Sequence, residues 1–239
     1  MSRKLLVFQH MPWEKPGKHL IRAARTRRVR LDVWEVWRQP APVINPYDGL
    51  IVLGGTPNID EEECYPFLKA EKELIAGAVK RDMPYLGFCL GHQLLADALG
   101  ARVGQNFSPS VGFIQGQVTS EGRRHPVLQG IPRSMPLFKW HSQAVLPPLP
   151  KEIEILVTSP ECQVEAISVE GRPHLVGLQS DNCAATVDDV GDWIKGDLEW
   201  LLELKIDVMK VMKDAERQEA LIGAQFEVIF DNFLELLSR

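Results

Sequence analysis

The chain has 239 residues, 45% hydrophobic and 25% charged, with a formal net charge of −5. That length and balance suit one globular domain, or one domain with a helical appendage, and the acidic charge argues against a nucleic-acid partner. No run of about 18 apolar residues occurs, so no membrane-spanning helix is expected. Cysteines at 64, 89, 162 and 183 show no paired spacing, and the start lacks a leader-like apolar region, which together point to a reducing cytoplasm.

Lys4 to Phe8 is a short apolar run and predicts the first central strand. Residues 9–17, with two prolines and a glycine, read as the loop at its C-terminal end, where open parallel sheets bind ligands. Trp13 and Glu14 there either line a site or belong to a surface loop. Residues 18–27 place Leu20, Ile21, Ala23 and Ala24 at helical spacing. The basic run from Arg22 to Arg30 has no interleaved aromatics and reads as a solvated helix end. Val29 to Trp37 alternates as a second strand, and Pro40, Pro42 and Pro46 make an irregular connection. Tyr47 to Gly55 is a turn, a buried strand and a glycine pair, with no phosphate-loop lysine. Asp60 to Glu63 precede a helix over 65–80, where acidic residues complement the helix dipole rather than mark a metal site.

Tyr85 to Phe88 predicts a buried strand, and Leu94, Leu95, Ala98 and Leu99 predict the helix after it. Between them, Gly87-Phe88-Cys89-Leu90-Gly91 sets a nucleophile between glycines at minus two and plus two, the pattern of a nucleophile elbow. The glycines are needed where strand and helix backbones crowd. A thiol at a helix N-terminus gains from the unpaired N–H groups and the dipole. The competing reading is an inert buried Cys on a strand end.

From Gly100 the character changes. Strand-like runs at 111–118, 136–140, 153–157, 164–169 and 175–178, separated by turns, predict an antiparallel extension of the sheet. Residues 188–238 are predicted helical, with Trp193, Leu198, Leu201, Leu202 and Leu204 in one apolar pattern. Phe226, Ile229, Phe230, Phe233, Leu236 and Leu237 form another. An exposed part of these faces would serve a homodimer. The element order predicts an α/β fold of three layers, an open, mainly parallel sheet with helices on both faces. One domain over 1–239 is expected, its core reaching about 185 and its helical appendage running from about 186.

The run Gly87 to Gln93 resembles the nucleophile motif of class I glutamine amidotransferases, and the helical tail is similar to stand-alone members related to the glutaminase domain of GMP synthetase. The resemblance covers the first strand to about residue 183. It implies a flavodoxin-like core, a Cys89 thiolate attacking the side-chain amide of glutamine, and Gly55 and Leu90 N–H groups forming the oxyanion hole. It also implies substrate contacts from Gln93 and the Gly54–Gly55 pair, although that pair also reads as a plain strand-ending turn.

The second half of the family's machinery does not match. Its Gly-x-Gln-Phe-His-Pro-Glu run is represented by Gly177-Leu178-Gln179-Ser180-Asp181-Asn182-Cys183, so Asp181 and Cys183 stand where the resemblance places the base and its carboxylate. An ionised Asp181 accepts but does not donate, and its charge would raise the Cys89 thiol. Relatives' Glu-x-Gly segment appears as Ser110-Val111-Gly112, and their His-x-Asp segment as His141-Ser142-Gln143. His141, read as lying in a loop, is the candidate substitute base; a structural role is the alternative. His92 matches the family motif outside the base position, and His174 should lie at the far end of its strand. Cys89 and His92 have no second pair at ligand spacing, so neither metal nor cofactor is expected.

Three functions follow. The first is a glutaminase passing ammonia to an acceptor or to a separate acceptor-activating synthase subunit. The second is a non-catalytic binding or regulatory module, and the third a hydrolase of γ-glutamyl small molecules.

Overall fold

The computed structural model describes residues 3–237. Among these described residues nine strands form one sheet: β1 (Lys4–Gln9), β2 (Arg30–Glu35), β3 (Gly49–Val52), β4 (Tyr85–Phe88), β5 (Arg102–Val118), β6 (Ser134–Leu146), β7 (Ile153–Thr158), β8 (Ala166–Val169) and β9 (Arg172–Leu178). Their order is β2-β1-β3-β4-β9-β8-β7-β5-β6. The strands from β2 to β9 pair in parallel. The four pairings beyond β9 are antiparallel.

The apolar runs explain the layering. Leu5 and Val7 of β1 point to one face of the sheet and Leu6 and Phe8 to the other, and all four are buried. One face is covered by α1 (Lys18–Thr26), α5 (Val187–Gly196) and α7 (Val208–Leu236). The other is covered by α2 (Phe67–Lys80) and α3 (Leu90–Ala98). This is the three-layer α/β fold expected, with the antiparallel extension where the sequence changes character.

Several boundaries moved. The strand expected from Val111 begins at Arg102, and that expected over 136–140 runs from Ser134 to Leu146. The two form one long antiparallel pair, irregular between Gln105 and Ser110. His141 therefore sits on strand β6, paired with Ser110, and not in a loop. Short strand-like runs underestimated these strands because Gly, Ser and Gln dominate the intervening positions, while pairing to a neighbour extends them regardless.

The single helical tail is three helices. A short α6 (Leu198–Glu203) lies between breaks at Asp197 and at Lys205, which has a positive φ of 57°. Asp207 then caps α7, its carboxylate accepting from Lys210 N–H at 3.0 Å. Phe226, Ile229, Phe230, Phe233 and Leu236 are buried against the sheet, whereas Leu198 and Leu202 remain exposed. Residue 238, included in the expected helix, lies outside the described residues. Among the described residues no helix is long and apolar enough to cross a membrane.

Candidate active site

The parallel strands β1, β3, β4 and β9 end along one edge, and the residues following each of them meet there. Cys89 follows β4 directly and caps α3 with φ 46° and ψ −104°. A non-glycine residue in that region carries strain of roughly 1–3 kcal/mol, held in place by its surroundings. Those surroundings are tight. A Cβ on Gly87 would come within 2.4 Å of the Gly91 carbonyl oxygen, and one on Gly91 within 2.2 Å of the Val52 oxygen. Tyr85 Oη–H donates to the Gly91 carbonyl at 2.7 Å, and Cys89 N–H donates to the Leu178 carbonyl at 2.9 Å. The two flanking glycines thus serve the close approach that the sequence implied. Replacing Cys89 by Gly is expected to give a protein roughly 1–2 kcal/mol more stable than replacing it by Ala, as only Gly relaxes at this φ. Urea unfolding of the two variants checks this, and equal midpoints would count against stored strain.

Gly54 and Gly55 lie against the elbow. A Cβ on Gly54 would meet Asp181 Oδ1 at 2.5 Å and Cys89 Cβ at 3.3 Å, and one on Gly55 would meet Leu90 Cδ2 at 2.9 Å. Leu90 opens α3, so its N–H has no acceptor within the helix. Gln93, one turn on, donates through Nε2 to the Gln143 carbonyl at 2.8 Å and to Gln179 Oε1 at 3.3 Å. Cys89, Gly55, Gln93 and His141 line one cavity of about 240 Å³. A larger groove of about 860 Å³ runs between α1 and β2, but no cysteine lines it.

Cys89 is only 4% exposed, and its thiol lies 3.8 Å from the Trp140 carbonyl. Burial, foremost, pushes the thiol well above its usual range, and the neighbouring Asp181 and Glu14 carboxyls act in the same direction to the extent that they ionise. The positive charge of Lys139 acts the other way without prevailing. That lysine is fully buried in an ion pair with Glu165.

Asp181 sits immediately beside this thiol. Its backbone is fixed by an N–H donated to the Phe138 carbonyl at 2.8 Å. Asn182 clamps the same turn to β6, accepting from Phe138 N–H at 2.8 Å and donating to the Pro136 carbonyl at 2.9 Å. The Asp181 carboxyl is 1% exposed, and among the described residues neither of its oxygens has a well-formed hydrogen bond. Burial, then the neighbouring Glu14 carboxylate, push it well above the usual carboxylate range. Desolvation here works against the intrinsic acidity on which the expectation of an ionised Asp181 rests. Cys183 lies in the next turn of chain, buried, with its carbonyl packed where a Cβ on Gly17 would stand.

The histidines separate clearly. His141 Nδ1 pairs with the Gln143 carbonyl at 2.8 Å, while its Nε2 is buried without a partner among the described residues. Burial holds its pKa well below 6.5, aided by Lys139. His92 packs over Gly177, and burial lowers it to about 3. His174 stands 3.1 Å from Asp82, before the start of β4 and so at the opposite end from Cys89, as expected.

Sequence reasoning missed much of the cavity wall. Thr56, Tyr65, Trp140, Asp197 and Trp200 line it, and Glu14, left open between site and surface, lines it as well. For Asp197 the available signal was the Gly196-Asp197 step that interrupts an otherwise helical run.

A family model for glutamine amidotransferase class-I matches residues 17–180. This chain belongs to the class I glutamine amidotransferase family. The match ends one residue before Asp181, where the motif departs. A putative glutamine amidotransferase-like protein, YfeJ, of Salmonella typhimurium is 32% identical over 158 residues, which are 64% of this chain and 65% of that relative. One subunit of a glutamine-hydrolyzing GMP synthase from Archaeoglobus fulgidus is 30% identical over 59% of this chain and 68% of its own. Among solved structures, a glutamine amidotransferase from Thermotoga maritima superposes with a TM-score of 0.87 at 25% identity, covering 98% of this chain and 99% of the other. The chain thus spans just under two thirds of the first of these relatives, whereas the solved structure is matched end to end, helical tail included.

Proposed function

We propose that this chain binds a γ-carboxamide ligand, glutamine or a γ-glutamyl compound, against Cys89, and that thioester chemistry is arrested in the isolated chain. The observation that carries this reading is the Cys89–Asp181 pair: a buried thiol beside a buried carboxyl, both driven toward their protonated forms. Covalent catalysis needs the thiolate and a group to take its proton. At ordinary values of 9.0 and 6.5, moving the thiol proton to an imidazole already costs about 3.4 kcal/mol. Here the thiol is raised and the His141 imidazole lowered, so both changes add to that cost.

In this reading Cys89 is the latent nucleophile, Gly55 and Leu90 N–H groups receive the amide oxygen, and Gln93 shapes the amide subsite with Gly54. Asp181 and Cys183 fill the positions of the family base and its carboxylate without performing their role. Ammonia release by the pure chain is expected to be indistinguishable from that of Cys89→Ala, while glutamine or a γ-glutamyl compound still binds. Vigorous Cys89-dependent release would overturn the arrest.

A second reading, turnover switched on by a synthase partner, is favoured by the strained elbow and by the open Nε2 of His141. A partner that reshapes the cavity would then bring His141 to the sulfur.

A further inference from the structure

The cavity beside Cys89 has another end that thiol chemistry does not use. Glu14, from the loop after β1, and Asp197, from the break between α5 and α6, meet there through Thr56. Thr56 N–H donates to Glu14 Oε2 at 3.1 Å, and the Thr56 hydroxyl lies 3.2 Å from Glu14 Oε1 and 3.4 Å from Asp197 Oδ1. Trp140 Nε1–H donates to Asp197 Oδ2 at 2.9 Å. Glu14 is 2% exposed and Asp197 9%. Among the described residues, neither carboxyl forms an ion pair with a lysine or arginine; their partners are neutral donors such as Thr56 and Trp140.

Two buried carboxyls side by side, with only the His10 imidazole nearby as an opposing charge on Glu14, are costly as anions. Burial, then the charge of Asp197, push Glu14 up to about 8, and burial also raises Asp197. A cation between them reverses that balance. The rings of Trp140, Trp200 and Tyr65 line the same cavity, with Trp140 and Trp200 centroids 6.3 Å apart. Aromatic faces next to carboxylates suit an organic ammonium better than a bare metal ion.

A separate observation points to a ligand. Gln143, 4% exposed, lines this cavity with its Oε1 unpartnered among the described residues, although its Nε2 donates to Asp60 at 2.9 Å. An acceptor left open in a closed wall calls for a donor. The unpartnered Nε2 of His141, also in the wall, is a second open position.

We propose that this end of the cavity is an ammonium subsite, so that the ligand is a γ-carboxamide compound carrying a cationic amine seated between Glu14 and Asp197 against the Trp140 and Trp200 rings. The proposal rests on the γ-carboxamide reading of the Cys89 end. The ammonium comes either from the α-amine of glutamine itself or from an amine substituent on the carboxamide nitrogen.

Calorimetric titration of the full chain distinguishes these sources with two ligand pairs. L-Glutamine is compared with glutaramate, which lacks the α-amine, and γ-glutamyl-1,4-diaminobutane with γ-glutamylbutylamide, which keeps the α-amine but lacks the terminal one. In at least one pair the member with the additional amine is expected to bind about tenfold or more tightly than its partner, and the pair that does so names the source. In the double variant Glu14→Gln, Asp197→Asn that preference should vanish, with a urea midpoint confirming that the variant is folded. The comparison within the unaltered protein stands whether or not the variant folds. Equal affinities within each pair would refute the ammonium subsite and leave the carboxamide reading intact. Tight binding of free 1,4-diaminobutane, lost in the double variant, with no carboxamide bound at all, would keep the subsite and overturn the carboxamide reading. No binding of any of these compounds would overturn both.

Discussion

Asp181→His is expected to raise Cys89-dependent ammonia release from glutamine by about 10²-fold or more, the range general acid–base catalysis contributes. Position 181 is held rigidly beside the Cys89 thiol. Its N–H is tied to the Phe138 carbonyl, Asn182 stitches the following residue to β6, and the side chain reaches the Cys89 and Gly54 surface. A carboxyl that burial drives toward its protonated form is a poor proton acceptor for the thiol. An imidazole there offers one and lets the resulting ion pair form. The gain should fall short of a full triad, because Cys183 supplies no carboxylate to orient the new ring. The readout is ammonia release by Asp181→His beside Asp181→His, Cys89→Ala, with iodoacetamide labelling of Cys89 as an independent measure of thiolate. A folded Asp181→His protein that neither releases ammonia above the Cys89→Ala background nor labels faster would show that the residue at 181 is not what arrests the site.

The parts of this site that could be read in the sequence are those governed by local rules. A strand, two glycines, a nucleophile and a helix within about a dozen residues leave one geometry, and the contacts of Gly87 and Gly91 with opposing carbonyl groups explain why. The layering followed from apolar runs such as Leu5 to Phe8, buried on both faces. What the sequence hid depends on contacts between distant segments. Asp197 reaches Thr56 across 141 positions, and no periodicity reports that. His141 was placed in a loop because pairing of its strand with Ser110 is non-local. The burial that acts on Asp181 is hidden for the same reason. Type alone gives an acid with a low pKa, and only the surrounding burial raises it.

Stability is expected to fall as pH rises from about 6.5 to 8.5, and the site is the cause. An acid whose folded pKa lies above its unfolded value binds a proton preferentially in the native state. Its contribution is fully present below the unfolded pKa and is lost as pH rises toward the folded one. For Glu14 that window runs from 4.5 to about 8, and for Asp181 it opens at 3.8 and extends upward. His92 and His125, lowered by burial to about 3 and about 4, act with the opposite sign: their neutral forms belong to the native state, so stability rises with pH until about 6.5 and then levels off. His141 does the same. Below 6.5 the two trends oppose each other, whereas above it only the falling one remains. His10 adds to the fall. Burial lowers its pKa, but the adjoining Glu71 raises it further, leaving it above 6.5. Each group contributes at most about 1.4 kcal/mol per pH unit, so Glu14 alone accounts for about 2 kcal/mol between pH 6.5 and 8. Urea unfolding at pH 6.5 and 8.5 should therefore show a loss of about 2 kcal/mol or more, at least halved in the variant Glu14→Gln, Asp181→Asn, whose amides do not titrate. A flat profile in the unaltered protein would mean that the two carboxyls are already ionised at pH 6.5. The protonated Cys89–Asp181 pair, and with it the account of why the thiol is idle, would then have to be abandoned.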